Sequence, residues 1–370
     1  MFTCRYGHLK CLKSKIASLL IIGFEGQSAD HSFIKDLSRL PHPGGLIAFD
    51  RRCDSNNLSE NIAKNIIDPV QLKQLNDQLK NLFPHTLISI DSEGGLDWTE
   101  LANGYPIRYG VNRLKVSAGF PATHCAYQLG QLYQDGKVDE AKQCCDNIAK
   151  LLFDLNFNCV YAPVVDIHSE QCPIIGQIHR SFSSSIDVVT NCAKLFIDAC
   201  RHYDIQCCLK HYPGHGSALG DTHLGQVDIT ALWSDDELKP YDELASHCGM
   251  VMMSHVIHRD FDDQPVSLSK HWVDRLRSAG FDGVIITDDI QMAATAEMMS
   301  SASKQSLAEL VLRAFIAGND TVIIGGQLAS FSLSDYEYLL DFLEQSILSG
   351  RWTYDDFEAS LNRVNKRRLG

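Results

Sequence analysis

Residues 210–225 read Lys-His-Tyr-Pro-Gly-His-Gly-Ser-Ala-Leu-Gly-Asp-Thr-His-Leu-Gly, a run that sets three histidines, an aspartate and a lysine among glycines. Such a stretch makes neither a good helix nor a good strand, so its titratable groups need another explanation. A phosphate cradle would end in Gly-Lys-Ser/Thr and open a helix, and neither feature is present. A metal site would draw on His211, His215, Asp221 and His223. Pro213 and the glycines, however, forbid the helical i, i+4 spacing that aims two histidines one way. A catalytic loop fits better: Asp221 and His223 are two apart, close enough for the carboxylate to orient the imidazole. That partner would fix the ring's tautomer and raise its pKa, as a general acid near neutral pH requires. The glycines would let the loop close over a substrate.

Other ionisable residues fall at the ends of apolar runs. "HTLISID" (85–91) ends in Asp91 and continues Ser-Glu-Gly-Gly, and "CVYAPVVD" (159–166) ends in Asp166. "IQCCLKHY" (205–212) carries Lys210 and His211, "GMVMMSH" (249–255) ends in His255, and "GVIITDD" (283–289) runs straight into Asp288 and Asp289. Burying such groups costs several kcal/mol each unless they are paired or used. Each has a plainer role available. Asp166 could cap a turn, His255 could be satisfied by a neighbour, and His215 reads as structural. Of Asp288 and Asp289, strand alternation sends one to the barrel mouth and the other outward.

The elements that must position these residues follow from periodicity. Three further apolar runs, 18–24, 44–49 and 320–326, bring the count to eight. All are continuous rather than alternating, as expected for parallel strands buried on both faces. Helical patterns separate them, over 59–83, 139–155, 187–203, 269–280 and 305–318. Eight strands alternating with helices predict one (β/α)₈ barrel, with its core over about 17–326 and two C-terminal helices within 327–370. In such barrels the chemistry sits at the C-terminal ends of the strands, where the ionisable residues fall. The basic end, Arg363 to Arg368, reads as cations at a helix C-terminus.

Composition narrows the partners. With 33 Lys plus Arg against 46 Asp plus Glu, the 370-residue chain carries a net charge of −13. It lacks the positive footprint that nucleic acid or an anionic membrane demands. Thirteen cysteines without framework spacing point to a reducing compartment. The N-terminal "MFTCRYGHLKCLKSKIASLLIIGF" has the basic lead-in and apolar run of a secretory signal. Yet the run is short, Glu25 follows closely, and removing it would leave seven strands. The first strand is therefore expected to stay, in a cytoplasmic monomer that needs no metal or cofactor. No apolar run reaches the length of a membrane span.

Taken together, these motifs resemble glycoside hydrolase family 3, in particular its single-domain bacterial β-N-acetylglucosaminidases of cell-wall recycling. Lys210 to His223 is similar to the family's Lys-His-Phe-Pro-Gly-His-Gly-x₄-Asp-Ser/Thr-His, with Tyr212 in the aromatic place. "TDDIQM" (287–292) resembles its nucleophile motif, "DSEGG" (91–95) its Asp-x-Glu-Gly-Gly, and "IGQIHRSF" around Arg180 its Gly-x-x-Arg-x-Phe. The resemblance implies that Asp288 is the nucleophile and His223 the acid/base, assisted by Asp221. It further implies that Asp91, Arg180, Lys210 and His211 hold the sugar of a small amino-sugar glycoside, such as a muropeptide fragment. The reaction would be retaining, with a His-Asp dyad in place of the usual second carboxylate. Larger family members draw a carboxylate acid from a second domain, which a chain of this length is not expected to own. In one respect the chain departs from the pattern: arginines are expected directly after Glu-Gly-Gly and three residues on, where Leu96 and Thr99 stand. That leaves sugar preference open, with Trp98 available as a stacking face. The competing readings are phosphorolysis, a metal-dependent barrel hydrolase and a non-catalytic sugar-binding barrel.

Overall fold

The computed structural model describes residues 12–51, 63–99, 107–299 and 303–368, of which 96–99, 107–109 and 368 are described by their backbone alone. Eight parallel strands close into a barrel: β1 (Leu20–Gly23), β2 (Gly45–Ala48), β3 (Leu87–Ile90), β4 (Cys159–Val160), β5 (Gln206–Tyr212), β6 (Met250–Met253), β7 (Val284–Asp289) and β8 (Thr321–Ile324). Each falls inside one of the eight apolar runs. Nearly every strand residue is buried, because the barrel interior takes one face and the helices the other. β4 is the shortest: Pro163 brings no N–H to the ladder, and pairing resumes only as a single bridge from Val164 to Lys210.

Closure is set by small residues. β8 pairs with β1 in the register Leu20↔Val322 to Ile22↔Ile324. A Cβ on Gly23 would lie 1.6 Å from the Gly325 carbonyl oxygen, so this seam admits no side chain there. The β7–β8 ladder shifts register between Ile286 and Asp289, which turns the end of β7 away from simple alternation.

Among the helices, Val138–Asp154, Ile186–His202, Lys270–Ser278 and Lys304–Ala317 follow the expected spans within a residue or two. The pattern over 59–83 is shortened. Of it, 59–62 lie outside the described residues, and the helix is Pro69–Leu82. Asp68 accepts from the Gln71 N–H as its N-cap, and Pro69 takes the first turn, where no donor is needed. Both C-terminal helices form, as Leu333–Leu348 and Tyr354–Arg368. Arg363 is not simply a cation at a helix end. Its Nε donates to Asp320, which is fully buried at the foot of β8 and also accepts from the Ile285 N–H and from Arg277. The last helix is thereby pinned across the N-terminal end of the barrel.

No helix among the described residues is long and apolar enough to cross a membrane.

Candidate active site

The floor of the barrel mouth is a crossed set of buried ion pairs. Arg180 donates to both oxygens of Glu93, from Nε and Nη2, at 2.8 Å each. Lys210 at the end of β5 reaches Glu93 at 2.8 Å and Asp91 at 3.0 Å. Burial works to raise the Glu93 carboxyl, but Arg180 and Lys210 more than offset it and hold it far below the usual carboxylate range. Desolvation likewise opposes the Lys210 ammonium, and Asp91 and Glu93 reverse the sign, so its pKa rises. Lys210 and Arg180 are therefore cations at any working pH, with fixed directions.

His211 is held from two sides. Its Nδ1 lies 2.7 Å from Asp166 and its Nε2 3.1 Å from Arg180 Nη2. A guanidinium only donates, so in the neutral ring Nε2 accepts and Nδ1 donates to Asp166. Asp166 also accepts from the backbone N–H groups of His211 and His215. It thus caps a turn and orients a site residue at once, the two roles the sequence held apart.

At the end of β7 the two aspartates differ in environment. Burial tends to raise the Asp288 carboxyl, but His211, His255, His223 and Lys210 around it bring it down to about 2. Asp289 is pushed up to about 6 by burial and by Asp288, although it accepts from the Gln291 and Gly325 N–H groups. Neither turns fully outward, as strand alternation would have one do, because the register shift lets both line the same cavity. Asp289 leans on β8, where a Cβ on Gly325 would stand 2.2 Å from its Oδ2. His255 proves satisfied within the protein, between Ser267 Oγ at 2.7 Å and the Asp289 carbonyl at 2.9 Å.

Beyond β5, Asp221 and His223 form the pair that their spacing suggested. Asp221 Oδ1 lies 2.8 Å from His223 Nδ1 and also accepts the His223 N–H at 2.9 Å. This leaves Nε2 as the free tip of the ring. Burial raises the Asp221 carboxyl, but the His223 contacts outweigh it and lower its pKa. His223 shares one cavity with Asp288, Asp91, Arg113 and Tyr161, enclosing about 380 Å³ with its open mouth. His211 and His215 stay at the end of β5 with Asp166, so the loop's histidines are not one cluster. Among the described residues no group of three or more His, Cys, Asp or Glu side chains is arranged to hold a metal ion.

Two site residues escaped the sequence. Glu93 lies inside the quoted DSEGG, but only the fold shows that it anchors both cations. Arg113 was hidden by an excursion of the chain. After Gly95 the backbone makes an antiparallel hairpin, Leu96–Thr99 with Ile107–Tyr109, and returns at Gly110. The two ends meet: Glu93 N–H donates to Val111, Ser92 bridges Asn112, and Asn112 Nδ2 donates to the Gly95 carbonyl. A Cβ on Gly110, at φ +80°, would approach the Gly94 oxygen to 2.5 Å. The next residues bring Arg113 into the cavity, 3.1 Å from Asp50, 3.8 Å from Asp91 and over the Phe49 ring. The site therefore has a guanidinium, supplied from beyond the hairpin rather than from position 99. The side chains of Leu96, Trp98 and Thr99 lie outside those described.

The whole arrangement has relatives. A beta-hexosaminidase from Chromobacterium violaceum is 31% identical over 307 residues, covering 78% of this chain and 74% of that protein. Another from Haemophilus influenzae is 30% identical over 283 residues, covering 74% and 72%. The solved structure of a glycoside hydrolase family 3 beta-N-acetylglucosaminidase from Paenibacillus sp. superposes with a TM-score of 0.74 at 25% identity. That match covers 97% of this chain and 62% of the longer one. The pattern of the glycosyl hydrolase family 3 N terminal domain matches residues 11–366, nearly the full described barrel, and the chain belongs to that family of glycoside hydrolases.

Proposed function

We propose that the protein is an exo-acting, retaining β-N-acetylglucosaminidase that removes terminal β-linked N-acetylglucosamine from small glycosides of the muropeptide kind. The observation that carries this reading is an aspartate held ionised, Asp288, across one cavity from a histidine whose other nitrogen is engaged by Asp221. His223 donates a proton from Nε2 to the leaving oxygen while Asp288 attacks the anomeric carbon and forms a glycosyl-enzyme. His223 then takes a proton from water, which attacks the same carbon and frees Asp288. The second inversion restores the configuration. Asp91, Arg180, Lys210 and His211 grip the sugar's hydroxyls, and Arg113 takes the part that Thr99 cannot. All ten described cysteines are free thiols, which favours a cytoplasmic setting, and the protein acts as a monomer.

A panel of 4-nitrophenyl glycosides tests this. The β-N-acetylglucosaminide should be turned over in preference to the glucoside and galactoside, without added phosphate and in the presence of EDTA. Asp288→Ala should lower kcat by at least about 10⁴-fold, whereas Asp289→Asn, which keeps an acceptor for the Gln291 and Gly325 amides, should stay within about tenfold. Equal losses in the two variants, or turnover that survives Asp288→Ala, would overturn the assignment.

A further inference from the structure

The loop that carries Asp221 and His223 is rooted unusually firmly. Two consecutive backbone amides at its start are taken by two different buried carboxylates. The His215 N–H donates to Asp166 at 2.8 Å, and the Gly216 N–H donates to Glu237 Oε2 at 3.1 Å. Glu237 sits on the helical turn Asp235–Leu238, which follows the loop in sequence, and is only 6% exposed. From the same segment Trp233 Nε1 donates to the Pro213 carbonyl, so the root is gripped at both ends. The fit leaves no slack. A Cβ on Gly214 would stand 2.4 Å from Glu237 Oε2, and one on Gly216 would stand 2.0 Å from the Ile167 oxygen. Further along, the Thr222 carbonyl accepts from Ala294, so the stretch carrying the dyad is strung between two anchors.

A buried carboxyl is a costly way to satisfy one amide, which a passing carbonyl or water could serve. Resting on the reading of His223 as the acid/base, we propose that Glu237 is a positioning residue for proton transfer: by fixing Gly216 it sets the reach of the Asp221–His223 pair toward the leaving oxygen. Glu237 touches no substrate and acts only through the loop. Its loss therefore weakens protonation of the leaving group and spares the attack by Asp288. Burial, reinforced by Asp166, raises its carboxyl to about 7, so both forms exist near neutrality and each keeps an oxygen for Gly216. A glutamine is then a fair substitute.

Leaving-group dependence separates this from a merely structural role. Dinitrophenolate departs with little protonation, whereas an alkyl alcohol needs the acid. In Glu237→Ala, kcat/KM on an alkyl β-N-acetylglucosaminide should fall about 100-fold and that on the dinitrophenyl glycoside less than about threefold, because kcat/KM reports the glycosylation step alone. Glu237→Gln should recover most of the loss. Asp236→Asn, on the same turn but paired with Lys239 at the surface, should change neither rate. Should the alanine variant not fold, Glu237→Asp, too short to reach Gly216, carries the same test. Equal losses on both substrates, or none, would overturn the proposal while leaving the hydrolase reading intact. If His223→Ala itself shows no leaving-group dependence, the reading of the dyad falls, and this inference with it.

Discussion

The barrel floor and the loop above it solve opposite problems with the same residue types. On the floor, Glu93, Arg180, Lys210, Asp166 and His211 are each 6% exposed or less and cross-linked, most members meeting two or three partners. On the loop, the His223 side chain is 48% exposed and Asp221 25%, joined as a single pair. A floor with the proposed task of gripping a sugar gains from directions fixed before binding, since little is then lost in ordering it. An acid/base that first donates and later withdraws a proton must face solvent and substrate in turn. On the proposed roles, rigidity is concentrated where the sugar would be held, and the root of the loop is fixed by Asp166 and Glu237.

The contrast can be broken most violently from below. Glu93→Ala leaves Arg180 and Lys210 buried without their shared anion, and removing one partner of a buried pair costs about 3–5 kcal/mol. Thermal melts should show that variant destabilised as a whole. A melting temperature within a degree or two of the parent's would mean the floor is not the interlocked unit described. Next in size is a pH effect at the junction between floor and loop. Glu237 binds its proton more tightly when folded, with a pKa raised from 4.5 to about 7. The native state therefore holds more protons than the unfolded one between those values, and stability falls as pH rises through that window. The contribution reaches up to about 3 kcal/mol above pH 7. Glu237→Gln removes it, so the variant should gain on the parent from pH 5 to pH 8. Parallel melting curves over that range would refute the shift. The smallest effect belongs to the loop itself. Asp221→Asn should lower kcat about 100-fold, about 2.7 kcal/mol in the barrier, with little change in melting temperature because asparagine keeps an acceptor for the His223 N–H. A loss of stability there would erase the distinction between the two regions.

The fold was legible because each barrel strand is a short apolar run broken by helices, a local signal that survives without coordinates. Floor residues such as Lys210, His211 and Asp91 were legible for a related reason: they end strands, where ionisable groups are conspicuous. What stayed hidden depends on contacts distant in sequence. Glu93 is one carboxylate among many until Arg180 arrives from 87 residues away. Glu237 meets Gly216 only after the chain has turned back on itself. The helix over 59–83 was overread because apolar spacing carried across Asp68-Pro69, a start signal that local chemistry does announce. Thr99 was set against an expected arginine by counting residues along a segment whose ends touch. The close neighbour of Gly94 in space is Gly110.

That last feature reaches beyond this site. When a chain leaves and re-enters a rim at one point, whatever lies between is a graft. Its ends are already closed, and doubling such a segment costs only about 0.6 kcal/mol in loop entropy. Gly94 and Gly110, both at positive φ and packed against each other, form a narrow neck at the base of that excursion. A barrel so built can trial new rim segments while its chemistry continues underneath, and the neck at Gly94 and Gly110 is where a designer would splice one in.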